Sequence, residues 1–374
     1  MKTVLVHDWY YTNGGAEKVI RSIDNIWNDI EHFSLIDNLN DHDRQSILNG
    51  KTVTTTYLQK WPLIKKRHRL FLQLFPSAIE SLDLRNFDLI LSSSSAVAKG
   101  VLTNQNQLHI CYCHSPARYA WDLYHQTLED SNLKRGLKGF YAKYVLHKMR
   151  VWDVVSSNRV DVFVANSKYI AKRIKKVYRR DAHVIYPPVD VNRFELIKNK
   201  EDYFLTASRL VPYKKIELIV QSFNQMPNKK LIVIGNGPEF KKISKIANNN
   251  VLMLGFQSNE TLKEYMQKAK AFVFAAEEDF GIMPVEAQAC GTPVIGYGKG
   301  GLTETVINNE TGLFFDEQNT EAIVNAVSRF EKLQFDSEKI RTNALRFSKE
   351  RFELEFRNFV FEKFQEFNRQ KNLL

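Results

Sequence analysis

Cysteine is scarce in this sequence, with Cys111, Cys113 and Cys290 the three among 374 residues. A disulfide-stapled secreted fold is thereby excluded, and free thiols suit a reducing compartment. Cys111-Tyr112-Cys113-His114 lacks the paired ligand spacing of a zinc site. On a strand, alternation turns both thiols to one face, where they read as small core side chains. No window approaches the roughly 18 apolar residues in a row that a membrane-spanning helix needs. The N-terminus enters a strand at once (Thr3-Val4-Leu5-Val6) without the basic-then-apolar layout of a signal peptide. From these absences the protein is expected in the cytoplasm. A P-loop is missing too, which counts against P-loop ATP hydrolysis.

Acidic residues run short in one half only. Residues 1–185 hold 27 Lys and Arg against 17 Asp and Glu, whereas residues 186–374 hold 26 against 25. Nearly all of the net charge of +11 therefore lies in the first half. Such a one-sided basic surface implies an anionic partner: a phosphorylated substrate, anionic lipid or nucleic acid. With 44% apolar and 25% charged residues the chain reads as folded, and its length accommodates two α/β domains.

Short apolar runs alternate with helical periodicity throughout, the signature of parallel sheets covered by helices on both faces. Strands are predicted at Thr3–Trp9, His32–Asp37, Thr52–Leu58, Asp88–Ser93, His109–His114, Asp161–Asn166 and His183–Tyr186. Helices are predicted at Gly15–Trp27, Arg69–Leu84 and Leu137–Ser157. Pro187-Pro188 stops regular structure, and Val189–Asp202 reads as a linker. The alternation restarts with strands at Tyr203–Ser208, Lys230–Ile234, Val251–Leu254, Ala271–Ala275, Pro293–Gly296 and Gly312–Phe315. Helices at Lys215–Gln225 and Glu239–Ala247 fall between them, and a helix over Lys349–Arg369 ends the pattern. Two doubly wound units in series follow, residues 1–188 and 203–348, with residues 349–374 as a terminal helix. Such sheets bind ligands at the carboxyl ends of their strands, so two facing units would share one cleft.

The chemistry-bearing segments sit where strands are predicted to end. Ser208-Arg209-Leu210-Val211-Pro212-Tyr213-Lys214 offers a guanidinium fork and a compact ammonium to phosphate oxygens. Solvated loop cations are the plain alternative. Ile234-Gly235-Asn236-Gly237-Pro238 permits close backbone approach but is not the G-x-G-x-x-G dinucleotide fingerprint, which counts against nicotinamide chemistry. The densest segment runs from Ala276 to Val294. In it Glu278 is predicted to end a strand, and Glu286 to lie near the start of a helix whose opening turn holds Pro284. The N–H groups of Phe280, Gly281 and Ile282 are then available to an anion at the helix N-terminus. Glu286 suits the vicinal hydroxyls of a ribose, and Glu278 the hydroxyls of a hexose.

In these residues the sequence resembles the retaining glycosyltransferases of family 4. The resemblance includes Gly14-Gly15-Ala16-Glu17, His114-Ser115-Pro116, Asn166-Ser167, Tyr186-Pro187-Pro188-Val189-Asp190, Arg209 with Lys214, Glu278 with Glu286, and Gly300-Gly301 with Glu304. It implies the GT-B architecture: two Rossmann-like domains facing a central cleft, with a final helix crossing back to the first. It also implies the roles. Arg209 and Lys214 would hold the donor diphosphate and Glu286 the ribose. Glu278 and the backbone of Phe280, Gly281 and Ile282 would hold the transferred sugar, with Gly235 beside the donor. His114 would lie over that sugar, and the Gly14-Gly15 loop would approach the donor. His114, Glu278, Arg209 and Lys214 form the candidate catalytic set. No metal or other cofactor is implied, because cations and amides take over diphosphate stabilisation. Asp279 departs from the family, which commonly has Gly there.

Arg118, Tyr119, Trp121 and Asp122 form an aromatic and charged group suited to a sugar acceptor, or else an ordinary amphipathic helix. Trp61–Leu72 sets Lys65, Lys66, Arg67 and Arg69 beside apolar residues, a composition suited to an anionic membrane surface. A second cluster, Lys172 to Arg180, lies on the same basic face or solubilises its helix. Asp41-His42-Asp43 has the letters of a D-x-D metal motif but sits in a polar stretch and reads as a turn. The resemblance is strongest to bacterial mannosyltransferases of surface-polysaccharide assembly. It implies GDP-mannose as donor, with a UDP-hexose second, and a glycan, lipid-linked or lipopolysaccharide-type acceptor. A nucleotide-sugar epimerase shares this architecture. A basic nucleic-acid-binding protein is the non-enzyme rival, and the chain carries no motif for it.

Overall fold

A computed structural model describes residues 1–11 and 14–371, with the side chains of Lys66 and Arg69 excepted. The chain divides into two compact units: Met1–Pro187 together with the stretch from Phe352 onward, and Pro188–Arg351.

The sheet of the first unit consists of β1 (Thr3–His7), β2 (Glu31–Ser34), β3 (Val53–Thr55), β4 (Leu89–Ser94), β5 (Leu108–Cys113), β6 (Val162–Ala165) and β7 (Ala182–Val184). Its order is β3-β2-β1-β4-β5-β6-β7, with every pairing parallel. The central strands β1, β4 and β5 are buried along their whole length, as sheets covered on both faces must be. That burial explains their unbroken apolar runs. Cys111 and Cys113 lie in β5, buried in one cluster with Phe163 and Ile170.

The second unit holds β8 (Phe204–Ala207), β9 (Leu231–Ile234), β10 (Val251–Gly255), β11 (Ala271–Phe274), β12 (Val294–Tyr297) and β13 (Gly312–Phe315). Its order is β10-β9-β8-β11-β12-β13, again parallel throughout. Thus both sheets are doubly wound. In each, the strand order reverses beside the first strand, between β1 and β4 in one and between β8 and β11 in the other. Those switch points are where open α/β sheets bind ligands.

Two readings of the sequence need correction. Arg69–Leu84 is not one helix: a 3-10 stretch at His68–Leu74 gives way to a short helix at Phe75–Glu80. Pro76 in the first turn of that helix cannot continue an α-helical hydrogen-bond ladder from the preceding residues. Asp41-His42-Asp43 is not a turn. It opens the Asp41–Leu48 helix, where the Asn40 side chain caps the Asp43 N–H at 2.8 Å and the two acids complement the helix dipole.

The Lys349–Lys371 helix buries Phe352, Phe356 and Val360 in the core of the first unit, in one cluster with Leu5, Leu91 and Tyr112. The Tyr112 ring meets Phe352 and Phe356 edge-on at 5.9 and 6.0 Å. Each such side chain contributes about 1.5–3 kcal/mol by burial. Among the described residues, no helix is long and apolar enough to cross a membrane.

Candidate active site

In the second unit, the residues that leave β8 and those that leave β11 converge. Arg209 follows β8 and is exposed; among the described residues its side chain makes no ion pair or hydrogen bond. Lys214 ends a 3-10 turn at Pro212–Lys214 and pairs through Nζ with Glu278 Oε1. Both partners are partly exposed, so the pair is weak and can be traded for another anion or hydroxyl. Glu278 does not end the strand; β11 stops at Phe274, and Glu278 lies in the loop beyond it. That loop is held from the β12 side. The Gly301 N–H donates to the Glu278 carbonyl at 2.8 Å, and a Cβ at Gly300 would lie 2.5 Å from the same oxygen.

Gly281, at φ +88°, then starts the Ile282–Ala289 helix, and N–H groups of its first turn have no partner within the helix. Glu286 is buried one turn in. Phe280 turns its ring into the core against Phe347, at 5.4 Å, so only its backbone can face a ligand. A Cβ at Gly235 would lie 1.8 Å from the Ser208 carbonyl oxygen, and φ there is +133°. Glycine therefore lets the β9 loop close on the Arg209 segment.

In the first unit a buried network forms at the β1–β4 switch point. His7 and Ser93 are register partners at the ends of these strands. His7 Nδ1–H donates to the Ser93 carbonyl at 3.0 Å, and its Nε2 lies 3.7 Å from Glu17 Oε1. Glu17 Oε2 accepts the Gly14 N–H at 3.0 Å, fixing the start of the Gly15–Ile26 helix. Burial opposes charge on both groups, yet their mutual hydrogen bond and attraction prevail: His7 is raised and Glu17 lowered from their ordinary values. His114, just beyond β5, is hydrogen-bonded through Nε2 to Ser93 Oγ at 2.8 Å. Its backbone is held by the Ser94 carbonyl and by Asn166 Nδ2. Burial, and then the charge of His7, push the imidazole down to about 4. Thr12 and Asn13, between β1 and Gly14, lie outside the described residues.

His114 is therefore neutral at physiological pH and serves as a hydrogen-bonding group. Its ring resonances are expected to stay constant in an NMR titration from pH 8 to pH 5. A transition near the ordinary 6.5 would refute the neutral assignment. The linkage has a definite sign. His114 and His109, both lowered to about 4, bind protons more readily unfolded, so stability falls as pH drops from about 6.5 toward 4.

The structure divides the four predicted acceptor residues. Residues 117–123 form successive turns before a helix at Tyr124–Asp130, so they are not a helix face. Arg118 and Asp122 pair at 3.2 Å, and Arg173 also reaches Asp122 at 3.2 Å. Trp121 and Tyr119 point inward: the Trp121 indole N–H donates to Asp153 at 2.8 Å, and the Tyr119 hydroxyl is buried. Asp153 and Lys99 form a buried pair, and the Tyr178 hydroxyl donates to Asp153 at 2.9 Å. The Lys172–Arg180 cluster is divided as well, since Arg173 serves Ser115, and Arg180 donates to the carbonyls of Ser157, Val160 and Asp161.

Sequence reasoning assigned no role to His7, Ser93, Asp8 or Asp153. Asp8 accepts the N–H groups of Ser95, Val97 and Ala98 at 2.6–2.7 Å and so shapes the loop after β4. The one available signal was Glu17, three residues after Gly14, the spacing of a carboxylate that reaches back to an N-cap N–H.

Residues 40–193 match the family described as Glycosyltransferase Family 4, and residues 190–347 the one described as Glycosyl transferases group 1. The chain belongs to the family 4 glycosyltransferases. An uncharacterized glycosyltransferase of Methanocaldococcus jannaschii is 31% identical over 196 residues, 50% of this chain and 51% of that protein. A GDP-mannose-dependent alpha-(1-6)-phosphatidylinositol monomannoside mannosyltransferase of Mycolicibacterium smegmatis is 27% identical over 201 residues, 46% of this chain and 53% of that one. This chain thus spans about half the length of the curated relatives it matches. Among solved structures, Anabaena HepE in complex with UDP-glucose superposes with a TM-score of 0.67 at 19% identity, over 98% of this glycosyltransferase and 100% of that chain. At that identity the likeness establishes the fold, GT-B.

Proposed function

We propose that this glycosyltransferase moves a hexose, with retention of configuration, from a nucleotide-diphosphate donor to a glycan or lipid-linked glycan. The reading rests above all on the arrangement at the β8–β11 switch point. Arg209, Lys214 and the first-turn N–H groups of the Ile282–Ala289 helix gather positive potential there, next to the carboxylates of Glu278 and Glu286. Positive groups suit a diphosphate and carboxylates suit hydroxyls, so one donor satisfies both.

In this reaction the bond from C1 of the sugar to the β-phosphate oxygen breaks, and its electron pair leaves on that oxygen. An acceptor hydroxyl bonds C1 from the same face and passes its proton to the departing phosphate. Arg209, Lys214 and the amides stabilise the charge that develops on the diphosphate. Arg118 and Asp122 contact the acceptor. No step calls on a metal or other cofactor.

GDP-mannose is the proposed donor, supported by the GDP-mannose-dependent relatives at 27–28% identity. Melting temperature measured with GDP, UDP, GDP-mannose and UDP-sugars tests this. A ligand at about 100 times its Kd contributes about 2.7 kcal/mol, a shift of several degrees. GDP and GDP-mannose are expected to stabilise the wild type, and Glu286→Ala to weaken them about 10- to 100-fold through loss of charged hydrogen bonds. Stabilisation by UDP compounds alone would replace mannose with a UDP-hexose. Stabilisation by none of the four would overturn the donor site. Release of free nucleotide only when an acceptor is supplied would argue against epimerisation, and oligonucleotide binding without nucleotide-sugar binding would favour the nucleic-acid rival.

A further inference from the structure

We propose that the outward face of the Gly136–Ser157 helix is a docking surface for an anionic lipid bilayer. The helix buries Gly139, Leu146, Met149 and Asp153, as any covering helix does. Its opposite side is not the polar face that a solvent-exposed helix normally carries. Leu137 is 90% exposed and Phe140 75%, and Tyr141, Tyr144, Val151 and Val155 are each about half exposed. These positions follow a three-to-four-residue spacing and make one stripe along the helix.

Cations flank the stripe, and acids are absent from it. Residues 131–152 contain six Lys and Arg and no Asp or Glu. Lys138, Lys143 and Lys148 are exposed. Lys148 lies within the stripe, its ammonium 5.6 Å from the centre of the Tyr144 ring. The surface extends past the helix. An open groove of about 490 Å³ between Pro76, Tyr144, Met149 and Trp152 adjoins it, and the Tyr141 hydroxyl is hydrogen-bonded to Gln73. Beyond Gln73 the 61–74 segment exposes Trp61, Leu63 and Leu70, with Lys65 and Arg67 beside them, while Ile64 is buried.

The lysines decide what the occupant is. A dry protein interface is depleted of Lys at its core, so Lys148 in mid-stripe disfavours a second protein. At a membrane, by contrast, its methylene stem lies among the apolar side chains while the ammonium reaches the headgroups. Phe140, Tyr141 and Tyr144 suit the headgroup level, where aromatic rings concentrate. Basic residues near anionic lipid each strengthen binding several-fold.

The full chain, carrying Phe140→Trp as a reporter, is to be mixed with vesicles of phosphatidylcholine alone or with phosphatidylglycerol added. The expected result is a blue shift and co-sedimentation with the anionic vesicles only, weakening as salt rises. Leu137→Ser with Phe140→Ser, and separately Lys138→Glu with Lys143→Glu and Lys148→Glu, should each lower partition at least about tenfold. All five positions are exposed, so circular dichroism and melting temperature should remain those of the wild type. No vesicle binding by the full chain, or binding by both sets of variants as strong as that of the parent chain, overturns the proposal. A concentration-dependent dimer abolished by Leu137→Ser with Phe140→Ser, without vesicle binding, would assign the face to a second copy of the chain.

Discussion

Arg209→Ala is expected to lower turnover by about 10²–10³-fold, the usual loss when one preorganised charge-stabilising donor is removed. Stability should hardly change. The side chain is exposed and unpaired among the described residues, and surface substitutions of that kind fall within about 0.5 kcal/mol. Steady-state kinetics and a melting curve on the same preparation separate the two effects. Arg209→Lys should recover part of the loss, since a point charge replaces the bidentate fork incompletely. Near-normal turnover in Arg209→Ala would remove this residue from the reaction.

Asp153→Ala is expected to cost about 3–5 kcal/mol, because it leaves the Lys99 ammonium buried without its partner. Burial works against that charge, but the attraction and hydrogen bond of Asp153 outweigh it and hold Lys99 above its ordinary value. Trp121 and Tyr178 lose the acceptor they share at the same time. Urea unfolding followed on the first unit's transition measures the loss. Lys99→Met combined with Asp153→Ala should recover much of it, since a buried pair replaced by apolar groups is often nearly neutral. A single-variant loss below about 1 kcal/mol would contradict the account. Because Trp121 is tied to Asp153, the turn carrying Arg118 and Asp122 should lose order in that variant too.

Much of the fold could be read in advance because parallel strands buried on both faces leave unbroken apolar runs. Leu231-Ile232-Val233-Ile234 and Ala271-Phe272-Val273-Phe274 are two such runs, and each is a strand. The second unit's candidate site was legible for a related reason. Its charges and glycines sit in loops directly after those strands, so Arg209, Gly235 and Glu278 come together through topology that the alternation already implies. The 61–84 region defied the same method, since its apolar residues face both the core and solvent and Pro76 interrupts it. The network of His7, Glu17, Ser93 and His114 was hidden differently. It is assembled from β1, β4, the first turn of the Gly15–Ile26 helix and the residue after β5, and His7 and Ser93 stand 86 residues apart. Nothing local to either residue signals the other. The inward course of Trp121 and Tyr119 follows from the turns at 117–123, whose direction no periodicity records.

The closure of the first unit by Phe352, Phe356 and Val360 also sets the order of events at the ribosome. The β1–β7 sheet is synthesised first, yet its Leu5, Leu91 and Tyr112 face, packed early by Val19, Ile20 and Ile23, lacks the last part of its cover until residue 360 has been made. The intervening residues 188–351 contain a complete six-stranded sheet with its own core and need wait for nothing downstream. The half of the chain that is born first is therefore the half that matures last. During that interval the part of the face awaiting Phe352, Phe356 and Val360 is open to chaperones.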